Sequence, residues 1–226
     1  MNRDRFKGAS WFNHLDSKIM VIGAGGIGSH LIFQLSRLGP DLIVYDGDEV
    51  SSVNTAGQLY GDSQIGQSKV SAIESLTKLL SDKELESYEE MYTEDSPTHS
   101  IIFTGLDNME ARKIVYRNWI EEYRGTEAIL IDGRLNAESF QIYTLLANKP
   151  EFLAKYEKEA LFNDEEAVGQ DCSYKQTTYA AALIAGEMIS NYVNWVGLTK
   201  RGFPFRVPFF YERNLLIKND RHEFYS

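Results

Sequence analysis

The sequence predicts an α/β fold with a doubly wound, mostly parallel sheet and helices on both faces. Short apolar runs alternate with segments of helical periodicity, which is the pattern of parallel strands joined by crossover helices. A glycine-rich turn at residues 23–28 follows the first apolar run and opens the first helical segment. We expect antiparallel strands at the edge of this sheet towards the C-terminus.

The sheet begins with one strand–helix–strand unit. Residues 18–23 are an apolar run that predicts a buried strand, because both of its faces need cover. Apolar residues recur at spacings of three and four over 27–38, and Gly39-Pro40 then ends the helix. Residues 42–45 predict the next strand, so the unit is a Rossmann-like βαβ motif.

The same alternation continues along the chain. It predicts a helix after Lys69, a strand at 101–103, a helix from Asn108 and a strand at 129–131. Strands that are joined through helices in this way run parallel, so these segments extend the parallel sheet.

The C-terminal part departs from the alternation. Residues 140–146 are rich in β formers and follow a turn, which predicts a strand that runs antiparallel at the sheet edge. Residues 181–195 have the spacing of a long helix, and the tail at 200–226 reads as irregular or strand-like.

Two stretches, 82–95 and 151–171, are dense in Asp and Glu. We interpret each as the solvated face of a helix, because runs of charge usually lie at the surface. The second stretch directly precedes Cys172, so a flap over that residue is the alternative.

Composition bounds the function. A chain of 226 residues with 43% hydrophobic and 25% charged residues predicts a single domain at 1–226. The net charge of −10 argues against nucleic acid or an anionic membrane as partner. The single cysteine, Cys172, excludes an internal disulfide and zinc sites of paired Cys-x-x-Cys type, so no structural zinc and a cytoplasmic location are expected.

The glycine turn predicts a nucleotide site. Its glycines Gly23, Gly25 and Gly28 let a phosphate approach the backbone at a helix N-terminus. Asp46 ends the next predicted strand, where a carboxylate accepts hydrogen bonds from ribose hydroxyls. These features alone do not separate NAD from ATP.

A further set of motifs resembles the ThiF/MoeB/HesA family, which shares the adenylation domain of ubiquitin-activating enzymes. The resemblance covers residues 18 to about 145, which it implies are the nucleotide-binding core, and a cysteine-containing loop, helix and tail follow at about 150–226. The matching positions are Gly23 to Ser29, Asp46, Asp48, Val50, Asn54, Gln58, Gly66, Lys69, and the run Asp107, Asn108 and Arg112.

The resemblance implies that the chain activates a carboxylate with ATP and Mg²⁺. Joining two anions requires positive charge and a metal ligand, roles that Lys69 and Asp107 fit. Asp46 would take the ribose, and Asn54 and Gln58 the phosphate oxygens or the water ligands of the metal. The nucleotide-binding set is Gly23, Gly25, Gly26, Gly28, Asp46, Asp48, Asn54, Gln58 and Lys69.

The chain departs from the family pattern at Gly57, where an arginine normally precedes the glutamine. A cation for the triphosphate is therefore missing from that position. Arg5 is the expected substitute, because family members often present an N-terminal arginine to the ATP of the neighbouring subunit. Arg3 and Arg134 are the alternatives.

Cys172 precedes the long C-terminal helix, in a loop comparable to the one that carries the acceptor cysteine of thioester-forming relatives. It is therefore a candidate acceptor of the activated group, with a buried, inert cysteine as the alternative.

The resemblance implies as partner a small ubiquitin-like or sulfur-carrier protein, or a peptide, with a free C-terminal carboxylate. It also implies a homodimer. Two alternatives remain at this stage: a scaffold subunit that binds nucleotide or carrier without catalysis, which Gly57 suggests, and an NAD-dependent oxidoreductase.

Overall fold

The structure is a computed structural model that describes residues 2–15, 18–162, 177–199 and 207–225. Its helices and strands follow in chain order as β1 Ile19–Ile22, α1 Gly26–Leu38, β2 Leu42–Tyr45, α2 Lys69–Ser81, β3 Glu86–Tyr88, β4 Ile101–Thr104, α3 Met109–Tyr123, β5 Ile129–Asn136, β6 Ser139–Leu146, α4 Pro150–Glu159, α5 Thr178–Thr199, β7 Pro208–Asn214 and β8 Asn219–Phe224.

The strands of the described chain form one sheet in the order β3-β2-β1-β4-β5-β6-β7-β8. The first five strands in this order pair in parallel, and β6, β7 and β8 continue the sheet in antiparallel pairs. The predicted fold class is confirmed. The order reverses between β1 and β4, and such a switch point opens a crevice at the carboxyl ends of the strands, where α/β proteins bind ligands.

Helices cover both faces of the sheet, which is why its central strands are apolar throughout. Every residue of β1, β2 and β4 is buried. In β1, Ile19 and Val21 pack in the core under α1, α2 and α5, and Met20 and Ile22 pack in the core under α3 and α4.

Local signals fix the helix ends that border the site. The N-cap Ser68 accepts a hydrogen bond from the Ser71 amide (3.2 Å), so α2 begins at Lys69 as predicted. Asn108 likewise caps α3 by accepting from the Ala111 amide (2.8 Å). At Gly39, with a φ of 111°, α1 ends in the left-handed conformation that glycine favours.

The predicted helix at 82–95 is wrong. These residues contain β3 at one edge of the sheet and are otherwise loop. Tyr88 of β3 stacks on Tyr45 of β2 with ring centroids 4.4 Å apart. Pairing with β2 therefore outweighs the local helical preference, while the acidic side chains stay at the surface.

The strand predicted at 140–146 is present as β6 and runs antiparallel to β5, but it does not lie at the sheet edge. The tail supplies β7 and β8, which pair outside it, so the strand-like alternative for the tail holds over 208–224. The aromatic residues Phe209, Phe210 and Tyr211 of β7 are buried, which explains why the tail joins the sheet.

The first part of the acidic stretch at 151–171 forms α4, whose acidic side chains are exposed as predicted. Residues 163–176, with Cys172, lie outside the described residues, and so does the flap alternative. No helix in the described ranges combines the length and the apolar character that crossing a membrane requires.

Candidate active site

The glycine turn joins β1 to α1 and leaves no room for a side chain at Gly28. Gly23 has a φ of +93°, and a Cβ atom at Gly28 would lie 1.7 Å from the Gly23 carbonyl oxygen. Gly25 is the N-cap of α1, and Gly26 is its first residue. The turn therefore presents backbone amides at a helix N-terminus, which is the geometry that binds phosphate.

Asp46 follows β2 and lies directly against this turn. Its Oδ2 accepts a hydrogen bond from the Ala24 amide (2.6 Å), and its Oδ1 accepts one from the Asp48 amide (2.8 Å). Burial raises the pKa of Asp46, and the nearby Lys69 ammonium and the two amides only partly oppose this rise. The sequence-predicted ribose ligand and the glycine turn thus lie together.

Lys69 brings a buried cation to the same place. Its side chain is 9% exposed, and its Nζ donates to Asp48 Oδ2 (2.6 Å) and lies 4.0 Å from Asp46 Oδ1. The side chain of Asp48 is 54% exposed, so this ion pair reaches the surface, and Asp48 keeps the buried ammonium charge paired.

Gln58 and Asn54 lie in one turn, but they differ in how their side chains are bound. Asn54 Oδ1 accepts from the amide and the hydroxyl of Ser51 (3.1 and 2.9 Å), which holds the turn itself. Gln58 is buried, and its Oε1 has no hydrogen-bond partner in the described chain. Its Nε2 would lie 3.9 Å from a Cβ at Gly25. An unpaired buried amide oxygen beside the turn is available to accept a hydrogen bond from a group bound there.

Asp107 follows β4 and is exposed. Its loop packs on the glycine turn, since a Cβ at Gly23 would lie 3.1 Å from the Gly105 carbonyl oxygen and 3.4 Å from Leu106 Cδ2. Asp107 therefore lies at the same edge of the sheet as Asp46 and the turn.

Across the described ranges, no group of three or more His, Cys, Asp or Glu side chains can hold a metal ion by itself. One carboxylate suits Mg²⁺ bound together with substrate phosphates, because that ion keeps its other positions for phosphate oxygens and water. Asp107 beside a phosphate-binding turn meets that requirement.

The N-terminal arginines lie at the other end of α1. Arg3 Nη1 donates to the Leu38 carbonyl (2.7 Å), and α1 has 13 residues, so this contact is about 18 Å along the helix from the glycine turn. Arg5 is exposed nearby. Within one subunit neither arginine joins the site, and action of Arg5 on a neighbouring subunit stays a prediction.

A charged cluster at the end of β4 and the middle of β5 was missed by sequence reasoning. The fully buried carboxylate of Asp132 accepts hydrogen bonds from Arg112, from Thr104 Oγ1 (2.9 Å), from Arg134 Nε (2.9 Å) and from Tyr156 OH (3.0 Å). Burial opposes its ionisation, but the two arginines prevail and lower the pKa of Asp132. A charged residue directly after the apolar run at 129–131 was the available signal.

The contacts of Arg134 in this cluster decide whether it can replace the arginine that is missing at Gly57. Its guanidinium is bound to Asp132, donates to the Ala160 carbonyl (2.9 Å) and stacks on Tyr143, with 4.8 Å from Cζ to the ring centroid. Arg134 is already engaged, so it is a poor replacement for the arginine missing at Gly57.

Tyr60 is a second residue that sequence reasoning missed. It is buried, and its hydroxyl donates to the Ala24 carbonyl (2.6 Å), which ties the glycine turn to the segment after Gln58. The first residue of α5 reaches the chain just before Gln58, because Thr178 Oγ1 donates to the Ala56 carbonyl. The chain that follows the undescribed residues 163–176 therefore resumes beside this site.

Comparisons with known proteins agree with this arrangement. A profile of the ThiF family matches residues 10–210. The NEDD8-activating enzyme E1 catalytic subunit of Schizosaccharomyces pombe is 29% identical over 133 residues, which are 52% of this chain and 28% of that protein.

Solved structures share the fold, among them PaaA and MccB. PaaA, in its selenomethionine form, gives a TM-score of 0.71 at 17% identity over 95% of this chain and 66% of its own. MccB of E. coli, solved with ATP, gives a TM-score of 0.71 at 13% identity over 95% of this chain and 65% of its own. The chain thus spans just over a quarter of the curated relative and a little under two thirds of these structures.

Proposed function

The chain belongs to the ThiF family, and on this basis we propose that it is an ATP-dependent adenylyltransferase. Its substrate is the C-terminal carboxylate of a small ubiquitin-like or sulfur-carrier protein, or of a peptide. A carboxylate oxygen attacks the α-phosphorus of ATP, a P–O bond forms to give the acyl-adenylate, and pyrophosphate leaves with the electrons of the broken bond. The observation that supports this most is that the glycine turn, Asp46, the Asp48–Lys69 pair and the Asp107 loop meet at one sheet edge.

Each part of the site has a role in this reaction. The amides of the turn hold phosphate oxygens, and Asp46 accepts hydrogen bonds from the ribose. Lys69 donates to a phosphate oxygen in place of Asp48. The Asp48 carboxylate is the partner that is displaced, because its side chain is half-exposed. The unpaired Oε1 of Gln58 accepts a hydrogen bond from a water or from a donor group of the substrate. Asp107 holds Mg²⁺, which when bound neutralises charge on the leaving pyrophosphate.

The proposal extends to the fate of the activated group. In a second step the thiolate of Cys172 attacks the acyl carbon, a C–S bond forms, and AMP leaves. Thr178 supports this step, because it returns the chain to the Ala56–Gln58 segment soon after Cys172. We treat residues 1–226 as one adenylation domain, since β7 and β8 extend the sheet that carries the site.

A scaffold subunit without catalysis is the second candidate, and Gly57 is the observation that favours it. The family profile and the Asp107 loop favour adenylation over both a scaffold without catalysis and an oxidoreductase. Exchange of labelled pyrophosphate into ATP tests the proposal, because it reports the first step without an acceptor for the activated group. ATP binding without exchange would support the scaffold.

A homodimer that shares its active sites is expected. The segment with Arg5 lies at the far end of α1 from the turn of its own subunit, so Arg5 would have to act on the ATP of a second copy. Light scattering should give twice the mass of one chain. Mixing Arg5→Ala with Asp107→Ala subunits should then restore about a quarter of the exchange activity, because half of the dimers contain one intact site.

Lys7→Ala is the matched control for this mixing experiment, because Lys7 is an exposed cation of the same segment. It should leave exchange unchanged. A monomer mass at working concentration, or no recovery after subunit mixing, would remove the shared site.

The missing arginine at Gly57 is expected to be relocated rather than lost. If Arg5 supplies the charge, Arg5→Ala should slow exchange by about two orders of magnitude, and Gly57→Arg should restore part of the rate in that background. Gly57 does not share the positive φ of the described glycines Gly23, Gly39, Gly66 and Gly125, so arginine can take its place without backbone strain. Independent effects of the two substitutions on exchange rates would contradict relocation.

A further inference from the structure

Arg112 connects the Asp132 cluster to the loop that carries Asp107. One guanidinium nitrogen donates to Asp132 Oδ1, and the other donates to the Leu106 carbonyl oxygen. That carbonyl belongs to the peptide bond between Leu106 and Asp107. A buried, charged side chain therefore holds the backbone immediately before the proposed metal ligand.

Arg112 is not needed to neutralise the charge of Asp132, because a second arginine pairs with the same carboxylate. The cluster holds two guanidinium groups for one carboxylate. Without Arg112, Asp132 keeps its ion pair with Arg134 and its bonds to Thr104 and Tyr156. The bond to the Leu106 carbonyl, in contrast, depends on Arg112.

The loop that Arg112 holds packs closely on the start of α1. A Cβ at Gly105 would lie 3.0 Å from Ile27 Cβ and 3.3 Å from the Gly28 amide nitrogen. The loop is therefore packed directly on the glycine turn. A shift of the Leu106 peptide moves Asp107 relative to the phosphate-binding amides, and misplacement of a catalytic group by 1 Å can cost about a hundredfold in rate.

We infer that Arg112 is a positioning residue, which fixes Asp107 against the glycine turn by holding the Leu106 carbonyl from the Asp132 cluster. This inference rests on the proposed adenylation for its effect on catalysis. The position of the loop itself does not depend on that function. Arg134 anchors the far side of the cluster to the C-terminal end of α4 through the Ala160 carbonyl.

The test compares Arg112→Met with Arg117→Met in the full chain. Arg117 lies on the same helix but is half-exposed and paired with Glu94. In Arg112→Met we expect the maximal exchange rate to fall at least tenfold, the Mg²⁺ concentration for half-maximal rate to rise about fivefold, and the KM for ATP to change less than twofold. Arg117→Met should match wild type in all three.

Two further readouts extend the test, of which the first does not depend on activity and the second does not depend on the Arg112→Met variant. Amide hydrogen exchange of residues 105–108 without nucleotide should accelerate at least tenfold in Arg112→Met and stay unchanged in Arg117→Met. Guanidinium ion should partly restore the maximal rate of the smaller variant Arg112→Ala, and Arg112→Lys should rescue less than half of the loss because its single nitrogen cannot span both partners.

The inference is overturned if loop protection and the Mg²⁺ dependence of Arg112→Met equal those of wild type. It is also overturned if the KM for ATP and the maximal rate change together and guanidinium does not rescue, because a structural role alone would do that. If wild type shows no exchange at all, the proposed function fails, and hydrogen exchange of the loop still decides the positioning role.

Discussion

Replacing Asp107 by alanine is expected to abolish Mg²⁺-dependent adenylation while the protein stays folded. Metal-assisted neutralisation of the leaving pyrophosphate contributes several kcal/mol, so its loss should slow exchange by about a thousandfold. Asp107 is exposed, and therefore its removal leaves no cavity and no unpaired buried charge. The measurement is ATP–pyrophosphate exchange over a range of Mg²⁺ concentrations, with the melting temperature recorded in parallel.

Asp95→Ala is the matched control, because Asp95 is another exposed loop carboxylate on the same chain. It should leave the rate and the Mg²⁺ dependence unchanged. If Asp107→Ala behaves like this control, the metal is held elsewhere and the role of the loop is wrong.

Replacing Asp132 by asparagine is expected to have the largest effect on stability. Removing one partner of a buried ion pair costs about 3 to 5 kcal/mol, and here the loss leaves the buried guanidinium of Arg112 and the partly buried one of Arg134 without their carboxylate. Denaturant unfolding at pH 7 measures this loss. Asp41→Asn is the control, because Asp41 pairs with Lys83 at the surface and should contribute less than about 1 kcal/mol.

The contribution of the Asp132 carboxylate to the free energy of unfolding should decrease at low pH. Burial opposes ionisation, but Arg112 and Arg134 outweigh it, so the folded-state pKa of Asp132 lies below that of the unfolded chain. Its contribution is then complete above the unfolded pKa of about 4 and is lost as the pH falls through the folded pKa. The difference in the free energy of unfolding between wild type and Asp132→Asn should therefore become smaller below pH 4. A constant difference from pH 7 to pH 3 would contradict the ion-pair account.

The central part of the fold was predictable because its signals are local. A parallel strand that is covered on both faces must be apolar at every position, and residues 19–22 and 42–45 are. The glycine turn between them needs a tight conformation that only glycine adopts without clashes, as Gly28 demonstrates. These constraints can be read from a few neighbouring residues.

Other features depend on partners that are distant in sequence. The acidic segment with β3 becomes a strand because β2 offers an open edge, which composition does not reveal. The strand β6 lies inside the sheet because residues 208–214 pair with it. Without that pairing, its sequence equally fits an edge strand.

The candidate site shows the same division. Asp46, Lys69 and Gln58 follow from motifs, and the structure brings them to the glycine turn. The Asp132 cluster joins β4, β5, α3 and α4, and no spacing in the sequence predicts that four elements meet at one carboxylate. The position of Arg3 against the end of α1 is likewise a long-range contact.

The most direct test of the account is exchange of labelled pyrophosphate into ATP in the presence of Mg²⁺. The substrates are a panel of small ubiquitin-like and sulfur-carrier proteins and peptides that end in Gly-Gly. Each is compared with a matched form whose C-terminal carboxylate is blocked as an amide. The account predicts exchange with at least one free carboxylate, none with its amide, and loss of exchange in Lys69→Ala and Asp107→Ala. ATP binding without exchange across the whole panel would contradict adenylation and favour a scaffold.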